Sequence, residues 1–142
     1  MDNREPPLAA ETAALKAFYA ALNQNDIPAM VRVFDPQIER VEFIESPQGG
    51  TWHGLEAVTA HFTRARGTWA EGACEPEHFV VAGDRVVVLV HVRVRLKGET
   101  QWHQGRIADV FTFRNGKVIQ FRSFADRRQA LHWAGVEAAD TG

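Results

Sequence analysis

The sequence predicts a single α+β domain in which an antiparallel sheet packs against three N-terminal helices. Apolar residues recur at helical spacing through the first half, and they alternate with a period of two through the second. An Asn-Gly pair joins the last two alternating runs, which makes them a hairpin. No linker, repeat or low-complexity segment divides the 142 residues, so residues 1–142 read as one domain with a core at about 9–135.

Leu8, Leu15, Phe18, Tyr19 and Leu22 mark one face of a first helix. Asp26 is placed to cap a second, with Pro28 in its first turn, where a missing N–H costs little. Ile27, Met30, Val31 and Phe34 supply its apolar face. Residues 38–44 alternate as a strand, with Ile38, Arg40, Glu42 and Ile44 on one side and Glu39, Val41 and Phe43 on the other. Both sides carry charge, so the pattern leaves open which is buried. Ser46-Pro47-Gln48-Gly49-Gly50 reads as a loop, and Gly54 opens a third helix with Leu55, Val58, Phe62, Ala65 and Trp69 along one stripe. Strands follow at 77–81, 85–97, 100–114 and 117–125, separated by Gly83-Asp84, Gly98 and Asn115-Gly116. Asp126 caps a last short helix through Trp133, and Gly135 stops it.

The two long strands make the sheet's sides legible. Val86, Val88, Val90, Val92, Val94 and Leu96 share a face that must look toward the helices. On the next strand Ile107, Phe111 and Phe113 form the apolar face, and period two sets Asp109 among them, a carboxylate predicted to be buried. The opposite face carries His91, Arg93, Trp102, Arg106, Val110, Arg122 and Phe124, a mixture of aromatic, aliphatic and Arg residues that suits a homodimer interface.

Composition excludes several function classes. With 45% hydrophobic and 24% charged residues the chain suits a packed core, and its net charge of −2 gives no field for nucleic acid or an anionic membrane. Its longest aliphatic stretch, residues 86–90, is far short of the ~20 residues that cross a bilayer. Cys74 is the only cysteine and the first residues lack the pattern of a leader, so a reducing cytoplasm is the expected setting. The six histidines include no His-x-His or His-Glu-x-x-His pair, and no glycine-rich phosphate loop follows a strand; neither a metal nor another cofactor is expected.

Several stretches together resemble the nuclear-transport-factor-2-like superfamily, in particular SnoaL-like polyketide cyclases and ketosteroid isomerase-like proteins. They are Phe18-Tyr19-Ala20-Ala21-Leu22-Asn23 with the run from Asp26 to Phe34, the loop Gly49-Gly50-Thr51-Trp52-His53-Gly54, and the hairpin from Asp109 through Asn115-Gly116 to Val118. Phe121-Arg122-Ser123-Phe124-Ala125-Asp126, followed by Gln129-Ala130-Leu131, is similar to the family's ending. The resemblance implies a cystatin-like α+β cone, a pocket for a small hydrophobic molecule, and a homodimer paired through the outer sheet face. It sets Glu42 at the position of the isomerases' base and Asp109 at that of their hydrogen-bond-donating acid. Their tyrosine position falls on Phe18, with Tyr19 turned about 100° away on the helix. The superfamily's epoxide hydrolases carry a late-strand aspartate where this chain has Ser123.

These residues support two functional expectations. The first is a cofactor-independent proton-transfer enzyme on a carbonyl compound, with Glu42 as base and Asp109 as neutral acid. Arg40, two residues from Glu42, is set either to hold that carboxylate ionised or to neutralise it, or instead to pair with Asp109. His103 shares strand parity with Asp109, as a second acid–base group or as a solvated rim residue. Phe18, Tyr19, Trp52, Phe62, Trp69, Phe111 and Phe121 are the candidate ligand-binding residues, though aromatics at such spacing also build cores. The second expectation is a ligand-binding or dimeric interaction domain without turnover, for which a filled cone or an Arg40-bound carboxylate is the signature.

Overall fold

The computed structural model describes residues 7–43 and 50–136, so Ile44 and residues 46–49 of the predicted loop lie outside the described residues. The chain runs α1 (Ala9–Asn23), α2 (Ile27–Met30), a 3-10 turn (Val31–Val33), β1 (Phe34–Val41), β2 (Thr51–His53), α3 (Leu55–Gly67), β3 (Trp69–Ala82), β4 (Arg85–Leu96), β5 (Trp102–Arg114), β6 (Lys117–Phe124) and α4 (Arg127–Trp133). The strands form one curved, unclosed sheet in the order β2-β1-β6-β5-β4-β3. All neighbours are antiparallel except β1 and β6, which run parallel with Arg40 beside Phe121.

Local chemistry accounts for the punctuation. The Asp26 carboxylate accepts from Ala29 N at 3.2 Å and caps α2, and Asp126 accepts from Arg128 N at 2.8 Å to cap α4. Asn115 and Gly116, at φ 53° and 79°, make the two-residue turn between β5 and β6.

Several elements differ from the sequence reading. The second helix is one turn, and Phe34 opens β1 instead of completing an apolar helical face. β2 forms within the Gly49–Gly54 stretch that resembles a loop in the sequence. The third helix stops at Gly67, so Trp69 belongs to β3, which starts well before residue 77. Gly72 and Pro76 hide the beginning of β3 because neither fits an alternating pattern. Both suit an edge strand that shifts register twice, between Trp69 and Glu71 and between Pro76 and His78.

The inner face behaves as expected. Val86, Val88, Val90, Phe111 and Phe121 bury against Leu15, Phe18, Met30 and Val58 from the helices. The outer face does not. Val110 was expected in an open interface, yet α4 lies across it, and Val110, Val87 and Ala108 are fully buried with Ala130 and Ala134. Phe124 packs on Trp133 at 5.8 Å. Among the described residues no helix is long and apolar enough to cross a membrane.

Candidate functional site

The site begins with Asp109, which the pleat of β5 turns inward between Ile107 and Phe111; it is 4% exposed. Two hydroxyls donate to it. Tyr19 Oη reaches Oδ2 at 2.6 Å from α1, and Ser123 Oγ reaches Oδ1 at 2.6 Å from the paired position on β6. Burial raises the Asp109 carboxyl above the ordinary aspartate range, and the charge of Arg40 and the two hydroxyl bonds oppose the rise without cancelling it. Burial, with the nearby Asp109, also holds the Tyr19 phenol well above its usual value, so it stays a donor.

The second group is built around Arg40, brought inward by the alternation of β1 and 4% exposed. Its guanidinium donates to the carbonyls of Val41 and Phe121, both at 3.1 Å, and lies 3.9 Å over the Phe121 ring. Arg40 also forms an ion pair with Glu42 Oε1. Between the two pairings that the sequence left open, Arg40 thus takes Glu42, while Asp109 is held by hydroxyls. Burial alone would raise the Glu42 carboxyl, but Arg40 and the ring of His61 outweigh it and hold the group below the ordinary glutamate range.

His61, which the sequence reading passed over, comes from α3 and is 1% exposed. Its Nε2 stands 3.7 Å from Glu42 Oε2 and has no hydrogen-bond partner among the described residues. Trp52 of β2 stacks on the ring at 3.7 Å. A signal existed, since His61 falls three residues after Val58 on the buried stripe of α3 and is therefore a polar residue on an apolar face.

The other candidates lie elsewhere. His103 keeps strand parity with Asp109 but is half-exposed, bonded to Glu99 Oε1 at 2.8 Å, and takes no part in the buried cluster. Trp69 lies under Arg66 at 4.5 Å at the head of β3. Phe18, Phe62, Phe111 and Phe121 pack on one another inside the cone, with Phe111 and Phe121 stacked at 4.3 Å, so these expected pocket walls form core. A groove of about 430 Å³ opens instead at the ends of β1 and β6, lined in part by Val41, Glu42, Phe43, Ser123 and Gln129. It reaches one member of each polar group. Burial pushes the Cys74 thiol up to about 12, as befits a packed thiol and not a nucleophile. Among the described residues no three of His, Cys, Asp and Glu converge as a metal site.

The SnoaL-like domain family matches residues 15–121, which spans α1 to the middle of β6. A search of curated proteins finds no match. Among solved structures, an NTF2-like protein of unknown function from Burkholderia pseudomallei K96243 superposes with a TM-score of 0.75 at 22% identity, covering 90% of this chain and 99% of its own. A candidate SnoaL-like polyketide cyclase from Jannaschia sp. CCS1 gives 0.73 at 17% identity, with 94% and 96% covered. A protein with a ketosteroid isomerase-like fold from Catenulispora acidiphila DSM 44928, in complex with trimethylamine, gives 0.71 at 17% identity, with 89% and 95% covered. At these identities the structures establish the fold.

Proposed function

The chain belongs to the SnoaL-like domain family of the nuclear-transport-factor-2-like superfamily, and from that premise we propose that it is a cofactor-independent acid–base catalyst of the isomerase or cyclase type, acting on a small hydrophobic carbonyl compound. The observation that supports this is a pair of carboxyl groups pushed in opposite directions within one cluster. Burial pushes the Asp109 carboxyl above the ordinary aspartate range, toward its neutral form, and Arg40 with His61 holds Glu42 below the ordinary glutamate range, in its ionised form. Such a pair divides the roles of acid and base.

In the proposed reaction Glu42 accepts a proton from the carbon between the carbonyl and a double bond, and returns it to the γ-carbon of the resulting dienolate as the double bond moves into conjugation. The Asp109 carboxyl, in its neutral form, acts on the carbonyl oxygen through Ser123, which lines the groove and bonds Asp109 at 2.6 Å, as enolate charge develops, and Tyr19 fixes the carboxyl's orientation. Arg40 weakens Glu42 as a base, so the proton removed must be acidified by a second unsaturated group besides the carbonyl. A groove of about 430 Å³ suits a ligand of that size. His103, on the rim, has no role in this scheme.

The test uses 2-tetralone in heavy water, with deuterium uptake at its doubly activated carbon followed by NMR. Wild type should accelerate exchange, and Glu42→Gln should return it to background, a loss of about a hundredfold or more. A second reading, a binding domain without turnover, draws support from the Arg40–Glu42 ion pair and the aromatic filling of the cone. It predicts binding of 2-tetralone with exchange at the uncatalysed rate, and that result would overturn the catalytic reading.

We also propose that the chain forms a homodimer through the strip of outer sheet that α4 leaves uncovered, around His91, Arg93, Trp102 and Arg106. Arg93 stacked on Trp102 at 3.8 Å is the kind of pair that anchors an interface. A reducing cytoplasm suits its single, half-buried thiol.

A further inference from the structure

Asp109 has two hydrogen-bond partners among the described residues, and both are hydroxyls. An ionised carboxylate accepts from both at once, because it has lone pairs and no proton. A neutral carboxyl carries one proton, and in a buried setting that proton must itself be donated. One of the two hydroxyls then accepts from Asp109, and its own hydrogen needs another acceptor.

The surroundings of the two hydroxyls decide which one reverses. Among the described residues Tyr19 Oη bonds only Asp109 Oδ2, and its ring packs against Phe18 at 5.0 Å and Phe111 at 6.1 Å. A phenolic hydrogen turned away from Asp109 would meet hydrocarbon and be left as an unsatisfied buried donor. Ser123 Oγ bonds Oδ1, but Ser123 also lines the groove of about 430 Å³. A hydroxyl hydrogen rotates to suit its neighbours, so this one can leave Oδ1 for the groove while Oγ stays 2.6 Å from the carboxyl.

We propose that Ser123 is a catalytic residue gated by Asp109. While Oδ1 carries a proton, the carboxyl donates to Ser123 Oγ and the serine O–H is offered to the groove; when Asp109 is ionised, that hydrogen is drawn back to Oδ1. The ligand group recognised is an oxygen that only accepts, a carbonyl or an enolate. Asp109 does not touch the ligand and is a positioning residue. This inference rests on the catalytic reading above and adds a pH switch to its hydrogen-bond donor. Burial favours the protonated state of Asp109, and Arg40 on β1 opposes it. Glu42 on β1, Tyr19 on α1 and Cys74 on β3 also bear on Asp109, and Arg122 and Asp126 share the groove. Between about pH 5 and pH 8 Tyr19 and Cys74 keep their protons and Glu42 its charge, so of the groups bearing on the switch Asp109 is the one free to titrate.

Acetophenone and α-methylstyrene match in shape and differ in the oxygen that accepts. Both are titrated by NMR into the whole protein over that pH range, with the Asp109 carboxyl carbon followed in the same samples. Wild type should bind acetophenone about fivefold more tightly wherever Asp109 is neutral, and the preference should vanish in step with its ionisation. Ser123→Ala should remove the preference at every pH. In Asp109→Asn the amide N–H donates to Ser123 Oγ and the amide oxygen accepts from Tyr19, so the preference should persist without pH dependence. A preference absent while Asp109 is neutral, or present while it is ionised, would overturn the gate and leave the catalytic reading standing. An Asp109 carboxyl ionised across the whole range would overturn it too. If neither probe shifts the amides of Val41, Phe43 and Ser123, the groove takes no such compound, and the catalytic reading falls together with the gate. Should a variant fail to fold, the wild-type profile decides alone.

Discussion

A carboxyl group whose pKa is higher folded than unfolded stabilises the fold only while it is protonated. For Asp109 that contribution is complete below the unfolded value of about 3.9 and is lost as pH rises through the raised folded value. Asp109→Asn should therefore match wild type in acid and gain on it as pH rises, read from urea unfolding across a pH series. Strong destabilisation of the Asn variant at neutral pH would mean that a charged Asp109 is needed. Glu42 has the opposite sign: its contribution is present above about 4.3 and fades as pH falls through the lowered folded value. Glu42→Gln leaves Arg40 buried without its partner and should cost roughly 3 kcal/mol at neutral pH by the same measurement. Tyr19→Phe removes a bond that favours the charged form of Asp109, so carboxyl NMR should find the Asp109 pKa higher still. The burial of Asp109 was legible because period two on a long strand leaves no choice of side. The role of Tyr19 was not, because a turn of 100° per residue describes where a Cα–Cβ bond starts and not where a phenol ends. Ser123 was noted only for the acid it replaces, and its bond to Asp109 depends on the pairing of β5 with β6.

At the level of elements, strong local signals carried over and tertiary ones did not. Asn115-Gly116 was readable because left-handed backbone at both positions is a local demand. Gly116→Val should cost about 1–2 kcal/mol in urea unfolding, the range for forcing a side chain into that conformation. The first part of β3 was unreadable because Gly72 answers to a neighbour distant in sequence. A Cβ there would lie 2.3 Å from the Arg93 carbonyl oxygen, and φ is 133°. Gly72→Ala should thus destabilise by roughly 3 kcal/mol, although alanine replaces glycine harmlessly at many surface positions. The site follows the same division. Asp109, Arg40 and Glu42 were marked by alternation, whereas the 3.7 Å contact of His61 with Glu42 exists only because β2, α3 and the end of β1 meet.

For the molecule as a whole, α4 changes what the sheet offers to a partner. It shields Val110 and packs against Phe124, so a dimer must use the strip nearer Trp102. Light scattering at micromolar concentration should find a dimer that Trp102→Glu disrupts, and a species that stays monomeric on concentration would remove the interface. The parallel pairing of β1 with β6 has a consequence in time. Arg40 and the Phe121 carbonyl it bonds are 81 residues apart, and at ~5–20 residues per second a ribosome takes roughly 4–16 s to deliver the second after the first. Until then β1 lacks the strand beside it in the centre of the sheet, and Arg40 lacks one of its two carbonyl acceptors. The buried polar cluster is consequently among the last parts of the protein to form during synthesis, and a nascent chain stalled before residue 117 would carry Asp109 and Glu42 without the strand that joins their surroundings.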